Sequence, residues 1–158
     1  MFNFRRLELD DLLFLCEVRN ECSYEYLHNS NTFSLSEAIV WFENTNPIFY
    51  IIEYFDKKIG YFRTSNFNEE SKSIYIGCDL HKDYRGKGLG YLSYLHFIPI
   101  LFEELNVNTL NLEVLSTNER AKNLYKKLGF KNIVSMNTPF IKNGQEIISE
   151  FWKLDKKN

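Results

Sequence analysis

Proline is scarce in this chain of 158 residues, and its three copies, Pro47, Pro99 and Pro139, do not cluster. There is also no Gly/Ser linker and no internal repeat, so nothing marks a boundary and residues 1–158 read as one domain. Cysteine is equally sparse. Cys16, Cys22 and Cys78 are odd in number and form no C-x-x-C pair, which fits neither a disulfide framework nor a zinc knuckle and leads us to expect a reducing, cytoplasmic compartment. No window approaches the ~20 apolar residues of a membrane span. The most apolar stretch, Tyr91 to Phe102, is interrupted by His96 and Pro99. The opening MFNFRRLELDD carries acidic residues and lacks the apolar run of a signal peptide. An excess of one charge is missing too: 19 Lys and Arg against 21 Asp and Glu leave a formal charge of −2 and a pI near 6.0. That excludes the basic footprint of a nucleic-acid partner and means that any anionic ligand must be held locally.

What is present is the composition of a folded domain. With 44% hydrophobic, 16% aromatic and 25% charged residues, the chain lies far from disordered sequences. At this length it can bury about two-thirds of the surface exposed when unfolded.

Phe2 to Leu9 alternates weakly and suggests a strand, followed by an amphipathic helix over Asp10 to Asn20. Ser34-x-x-Glu37 is a capping-box pattern that predicts a second helix from near Ser36, with an aromatic-rich loop over residues 21–33 between the two. Ile48 to Phe55 and Ile59 to Arg63 flank Asp56-Lys-Lys as a hairpin, and a polar turn over Asn66 to Ser71 leads to a strand over Ser73 to Leu80. In that strand Ile74, Ile76, Cys78 and Leu80 form a core face, leaving Tyr75, Gly77 and Asp79 on the other. Gly88 to about Leu105 is helical in pattern despite Pro99, and Thr109 to Leu115 is again a strand. Strand, helix, strand implies a parallel pair with a right-handed crossover. Ser116-x-x-Glu119 is a further capping-box pattern, and Ala121, Leu124, Tyr125 and Leu128 form a helical stripe that stops at Gly129. Phe130 to Met136 and Glu146 to Leu154, around Asn143-Gly144, predict a terminal antiparallel hairpin. The fold class is mixed α/β.

The chemistry signal is Asp83-Tyr-Arg-Gly-Lys-Gly-Leu-Gly90, placed after a strand and opening a helix. Its glycines let backbone approach a ligand, and the free N–H groups of the helix start suit an anion. It is neither G-x-G-x-x-G nor a Walker loop, since no Ser or Thr follows Lys87. The string R-G-K-G-L-G resembles the R/Q-x-x-G-x-G pyrophosphate loop of the GCN5-related N-acetyltransferase (GNAT) superfamily. Leu112-Glu-Val through Asn118, Ala121, Leu124-Tyr125 and Leu128-Gly-Phe130 is similar to its second signature, in the correct order and spacing.

The resemblance implies a mixed central sheet flanked by helices, with acetyl-CoA in a wedge where two parallel strands splay apart. On that pattern Arg85, Gly86, Lys87, Gly88, Leu89, Gly90 and Tyr91 cradle the pyrophosphate, the side chains of Arg85 and Lys87 adding charge. Leu80 offers its backbone to the pantetheine arm and Asn118 touches CoA from the far side. Tyr125 matches the tyrosine that protonates the departing thiolate, and Glu113, twelve positions earlier, matches a glutamate some members use as base. Asp79 and a water chain are the alternatives to Glu113. A backbone N–H near Cys78 to Leu80 would hold the oxyanion.

His81 reads as loop structure, Cys78 as core, and His28 and His96 lack metal-spaced partners, so no metal is expected. Lys122, Lys126 and Lys127 either meet the CoA 3′-phosphate or form a solvated face. The acceptor site of the family is shaped by the segments that correspond to Arg19 to Thr32 and Asn137 to Gln145. The first offers Arg19, Asn20, Tyr24, Tyr26 and His28, aromatic faces plus an arginine for phosphate. Similar Arg-Asn openings occur in acetyltransferases of nucleotide-linked amino sugars, which makes that small-molecule amine the first expected acceptor. A peptide N-terminus received by Asp79 and Glu113 is the second, and an idle CoA-binding module the third. Exposed edge strands are compatible with a homodimer.

Overall fold

The computed structural model describes residues 1–157. Its elements run β1 (Phe2–Arg6), α1 (Leu12–Ser23), α2 (Leu35–Thr45), β2 (Tyr50–Tyr54), β3 (Lys57–Asn68), β4 (Ser73–Leu80), α3 (Leu89–Glu104), β5 (Thr109–Leu115), α4 (Glu119–Leu128), β6 (Lys131–Asn132), β7 (Thr138–Lys142) and β8 (Gln145–Asp155). The strands form one mixed sheet in the order β1-β2-β3-β4-β5-β8-β6, with β7 also on β8. The β4–β5 contact is parallel and every other pairing is antiparallel.

Alternation along the strands divides the core in two. Phe62, Ile74, Ile76, Leu110, Leu112 and Val114 face α3 and α4. Ile51 and Tyr61 face α1, whose Leu12, Leu15, Val18 and Cys22 recur at helical spacing. Ser34 caps α2 by accepting from the Glu37 N–H, and the Glu37 carboxylate accepts from the Ser34 N–H. Pro99 lies inside α3 without ending it. The carbonyl deprived of its partner is that of Leu95, an exposed residue that water can satisfy.

Several sequence expectations need correction. The first strand ends at Arg6, because Leu9 to Asp11 form a 3-10 turn whose Asp11 carboxylate accepts from the Glu8 N–H. The first helix starts at Leu12 and runs on to Ser23, and β3 continues through Asn68 where a turn was expected. The capping box at Ser116 is absent: its hydroxyl accepts from the Ile148 N–H, and Asn118 caps α4 instead by accepting from Ala121. Of the strand expected over Phe130 to Met136 only Lys131–Asn132 pairs, and the hairpin partner of β8 is β7, joined through Asn143-Gly144.

Candidate active site

β4 and β5 pair only over Ser73 to Tyr75 and Thr109 to Asn111, yet β4 runs to Leu80 and β5 to Leu115. Beyond Tyr75 the two strands therefore diverge. The His81 N–H donates to the Ile59 carbonyl at 2.8 Å, which sets the phase of the β3–β4 ladder. In that phase Asp79 and Gly77 exchange hydrogen bonds with Tyr61 and Arg63, while the amides of Cys78 and Leu80 turn toward the gap. No strand meets them there. A cleft of about 1140 Å³ passes through this gap.

At one end of the cleft lies the glycine loop. Gly86 and Gly88 hold φ of +74° and +79°, where a side chain would be strained, and space above Gly88 is open to 4 Å. Gly88 is the N-cap of α3 and supplies no side chain, so the first N–H groups of the helix face the cleft. The Arg120 guanidinium stands 4.0 Å from where a Gly86 Cβ would be. Together these suit a pyrophosphate. Of the loop residues singled out in the sequence, Gly86, Gly88, Gly90 and Tyr91 line the cleft. The Leu89 side chain packs in the core, its N–H being the first of α3, and Lys87 lies over the Tyr84 ring.

Arg85 reaches the cleft, but its side chain is already committed. Its Nε donates to the Leu80 carbonyl at 3.0 Å, and its guanidinium is bidentate on Glu21 of α1. It ties the loop to α1. Lys122 is likewise occupied, bridging Glu119 and Glu150, while Lys127 covers the Tyr91 ring. The Asn118 side chain lines the cleft and caps α4 at the same time.

Where the strands part, α4 delivers Tyr125. It is 8% exposed, packed by Tyr94, Phe130 and Trp152, and it lines the cleft. Burial pushes its phenol up to about 12, so it stays protonated through neutral pH. Glu113 is exposed on the opposite face of β5, lines the cleft and makes no ion pair among the described residues. Asp79 is different. It is 5% exposed and accepts from Arg63 Nε at 3.0 Å and NH2 at 3.3 Å, one bond to each carboxylate oxygen.

The other end of the cleft lies between α1, α2 and the sheet. Arg19 packs over the Phe33 ring at 4.3 Å and donates to the Asn31 carbonyl, with no carboxylate partner among the described residues. Burial lowers its affinity for its proton. Tyr26 lies beneath Arg85, and Phe33, Trp41 and Phe49 complete an aromatic wall. His28 bonds Ser149 at 2.8 Å and is kept neutral by burial. Two expected acceptor residues lie elsewhere. Asn20 clamps the Phe33 backbone at both its N–H and its carbonyl, and Tyr24 is 68% exposed beside a smaller pocket with Glu25 and Gln145. The buried ammonium of Lys142 holds the Ser23 and Leu27 carbonyls and the Ser30 hydroxyl, anchoring the loop after α1 to β7.

The diverging parallel strands, the glycine loop at the α3 start and the protonated tyrosine agree with a family comparison. The model of the acetyltransferase (GNAT) family matches residues 9–130. The chain belongs to this family. As a GNAT protein it is an acetyl-CoA-dependent N-acetyltransferase. No curated protein matches the chain. Among solved structures it is similar to spermidine N-acetyltransferase from Vibrio cholerae in complex with CoA and spermine, at 22% identity over 98% of this chain and 95% of that one, with a TM-score of 0.85. An N-acetyltransferase from Staphylococcus aureus Mu50 is 18% identical over 99% of both chains, with a TM-score of 0.83. A ribosomal-protein-alanine N-acetyltransferase from Brucella melitensis is 20% identical over 98% and 99%, with a TM-score of 0.82. At these identities the likeness is one of fold.

The GNAT signatures led to the loop and to Tyr125, but Arg63, Tyr61, Tyr94 and Arg120 were not anticipated. The available signal was an arginine, Arg63, at the end of the mostly apolar run Ile59 to Phe62 on a predicted strand. Tyr61 and Tyr94 are fully enclosed, with hydroxyls that find no partner among the described residues. No group of three or more His, Cys, Asp or Glu among those residues is arranged to hold a metal, and no helix is long and apolar enough to cross a membrane.

Proposed function

We propose that the whole chain acts as one domain, transferring the acetyl group of acetyl-CoA to the primary amine of a small anionic acceptor, a nucleotide-linked amino sugar. The observation that carries this reading is Arg19: a half-buried guanidinium without a carboxylate partner among the described residues, set on an aromatic wall at the α1–α2 end of the cleft. Aromatic faces stack sugars and bases, and the guanidinium fork pairs with phosphate. A polycation would meet repulsion there, and a peptide N-terminus would find the carboxylate of Asp79 already paired with Arg63.

In this reading acetyl-CoA places its pyrophosphate on Gly86 to Gly90 and Arg120, and its thioester in the gap, where the Cys78 and Leu80 amides face the carbonyl oxygen. Glu113 takes a proton from the ammonium, and the neutral amine attacks the carbonyl carbon. The C–S bond breaks as the tetrahedral intermediate collapses, Tyr125 gives its proton to the sulfur, and the second proton leaves the former amine nitrogen to water, from which the tyrosinate is reprotonated. The test is CoA thiol release with nucleotide-linked amino sugars, N-terminal peptides and spermidine in parallel. Turnover confined to the sugars, with KM raised at least 10-fold by Arg19→Ala, is the expected result. Turnover on peptides or spermidine alone overturns the acceptor assignment.

A further inference from the structure

Arg63 enters neither the CoA site nor the proton transfers above, yet it is fixed at the floor of the cleft. It stands on β3 opposite Gly77 of β4, and its guanidinium lies flat on that glycine: a Cβ at Gly77 would come within 2.5 Å of the guanidinium carbon. Asp79, two residues on along the same face, holds Nε and NH2. NH1 is left without a partner among the described residues. The side chain is half-buried, with 39% of its surface exposed, and it lines the cleft. An ion pair so placed adds little net stability after desolvation. Its effect is to hold one edge of the fork in a set direction.

The position relative to the reaction is set by the sheet. Gly77 adjoins Cys78, whose amide faces the gap, and Glu113 lies on the same side of β5 across that gap. An acceptor coming from the α1–α2 side passes between Arg63 and Glu113. Its amine goes to the carboxylate, and whatever sits beside the amine meets a cation with N–H bonds to give. A second ammonium is repelled there, whereas an oxygen lone pair gains a charge-assisted hydrogen bond.

We infer that Arg63 is a specificity-determining residue that reads an oxygen, hydroxyl or carboxylate, on the carbon next to the acceptor's amine-bearing carbon. The acceptors are thus vicinal amino alcohols or amino acids, not plain alkylamines. This rests on the acetyl-transfer reading of the cleft. Gly77 serves the same end by leaving room for the fork.

The experiment compares kcat/KM of the wild-type enzyme for an amino sugar it turns over and for the same sugar deoxygenated beside the amine, with an α-amino acid as a separate arm to tell hydroxyl from carboxylate. The deoxygenated sugar is expected to be about 30-fold poorer, the worth of one hydrogen bond to a charged group. Arg63→Lys keeps the charge and loses the fork, and Gly77→Ala displaces it. Each is expected to cut that preference to about 3-fold while acetyl-CoA affinity, measured by calorimetry, is unchanged. A wild-type enzyme that turns over both sugars equally, or variants that keep the full preference, overturns the role of Arg63 and leaves acetyl transfer intact. CoA release that never depends on an added amine overturns both.

Discussion

At the residue scale, chemistry in this cleft is decided by which polar groups are already spent. Tyr125 is enclosed and protonated to about pH 12, so it can act as an acid without itself limiting the rate in the ordinary range. Tyr125→Phe is expected to lower kcat about 100-fold with little change in acetyl-CoA affinity, read by CoA release and calorimetry. Glu113 and Asp79 looked alike in the sequence, each on a strand face turned from the core. Their surroundings separate them. Glu113→Gln is expected to lower kcat and move the acidic limb of the pH profile, because its carboxylate is free to take a proton. Asp79→Asn leaves Arg63 without its counter-ion, and loss of folding stability by about 2 kcal/mol in urea is the expected result. A pH profile that shifts with Asp79→Asn and not with Glu113→Gln would exchange their roles.

At the element scale, the start of α1 is pinned by Asp11. Its carboxylate, 2% exposed, holds Arg5 of β1 at 2.8 Å and Lys58 of β3 at 2.7 Å, and accepts from the Glu8 N–H. Burial alone would raise its pKa, but the hydrogen bonds from Arg5, Lys58 and Glu8 outweigh it and bring it to about 2. A folded-state pKa below the unfolded value gives stability that is present above about pH 4 and lost as pH falls toward 2. With both cations partly in solvent, that stability is about 1–2 kcal/mol. Asp11→Asn is expected to remove it at pH 7 and to flatten acid unfolding between pH 4 and 2, followed by circular dichroism. Asn118, the cap of α4, is expected to cost about 1 kcal/mol when changed to Ala.

For the whole molecule, the cleft proposed to take acetyl-CoA lies between two halves that are joined weakly at their centre, since β4 and β5 share only three register pairs, Ser73 to Tyr75 with Thr109 to Asn111. A ligand touching the β4–α3 loop and α4 joins them. At 100 times its dissociation constant it is expected to add about 2.7 kcal/mol, seen as a rise in Tm. Gly88→Ala, strained at φ +79°, is expected to reduce that rise while changing the ligand-free Tm less.

Short-range patterns were legible in the sequence because neighbours along the chain determine them. The β4 and β5 boundaries, the Ser34 cap, the Gly129 stop and the glycine loop all follow from spacing and backbone freedom within a few residues. Where a hydroxyl or a charge chooses among distant partners, local reading failed. Ser116 serves Ile148 and not its own helix, Asn20 clamps Phe33, and Arg85 reaches Glu21, none of which sequence spacing encodes. The divergence of β4 and β5, the pairing of Asp79 with Arg63 and the Arg63 fork on Gly77 arise only when separate strands are brought into register. Composition and motif thus determined the family and the donor, whereas tertiary structure decided which side chains remain free in the cleft, because hydrogen bonds and ion pairs are allotted across the sheet.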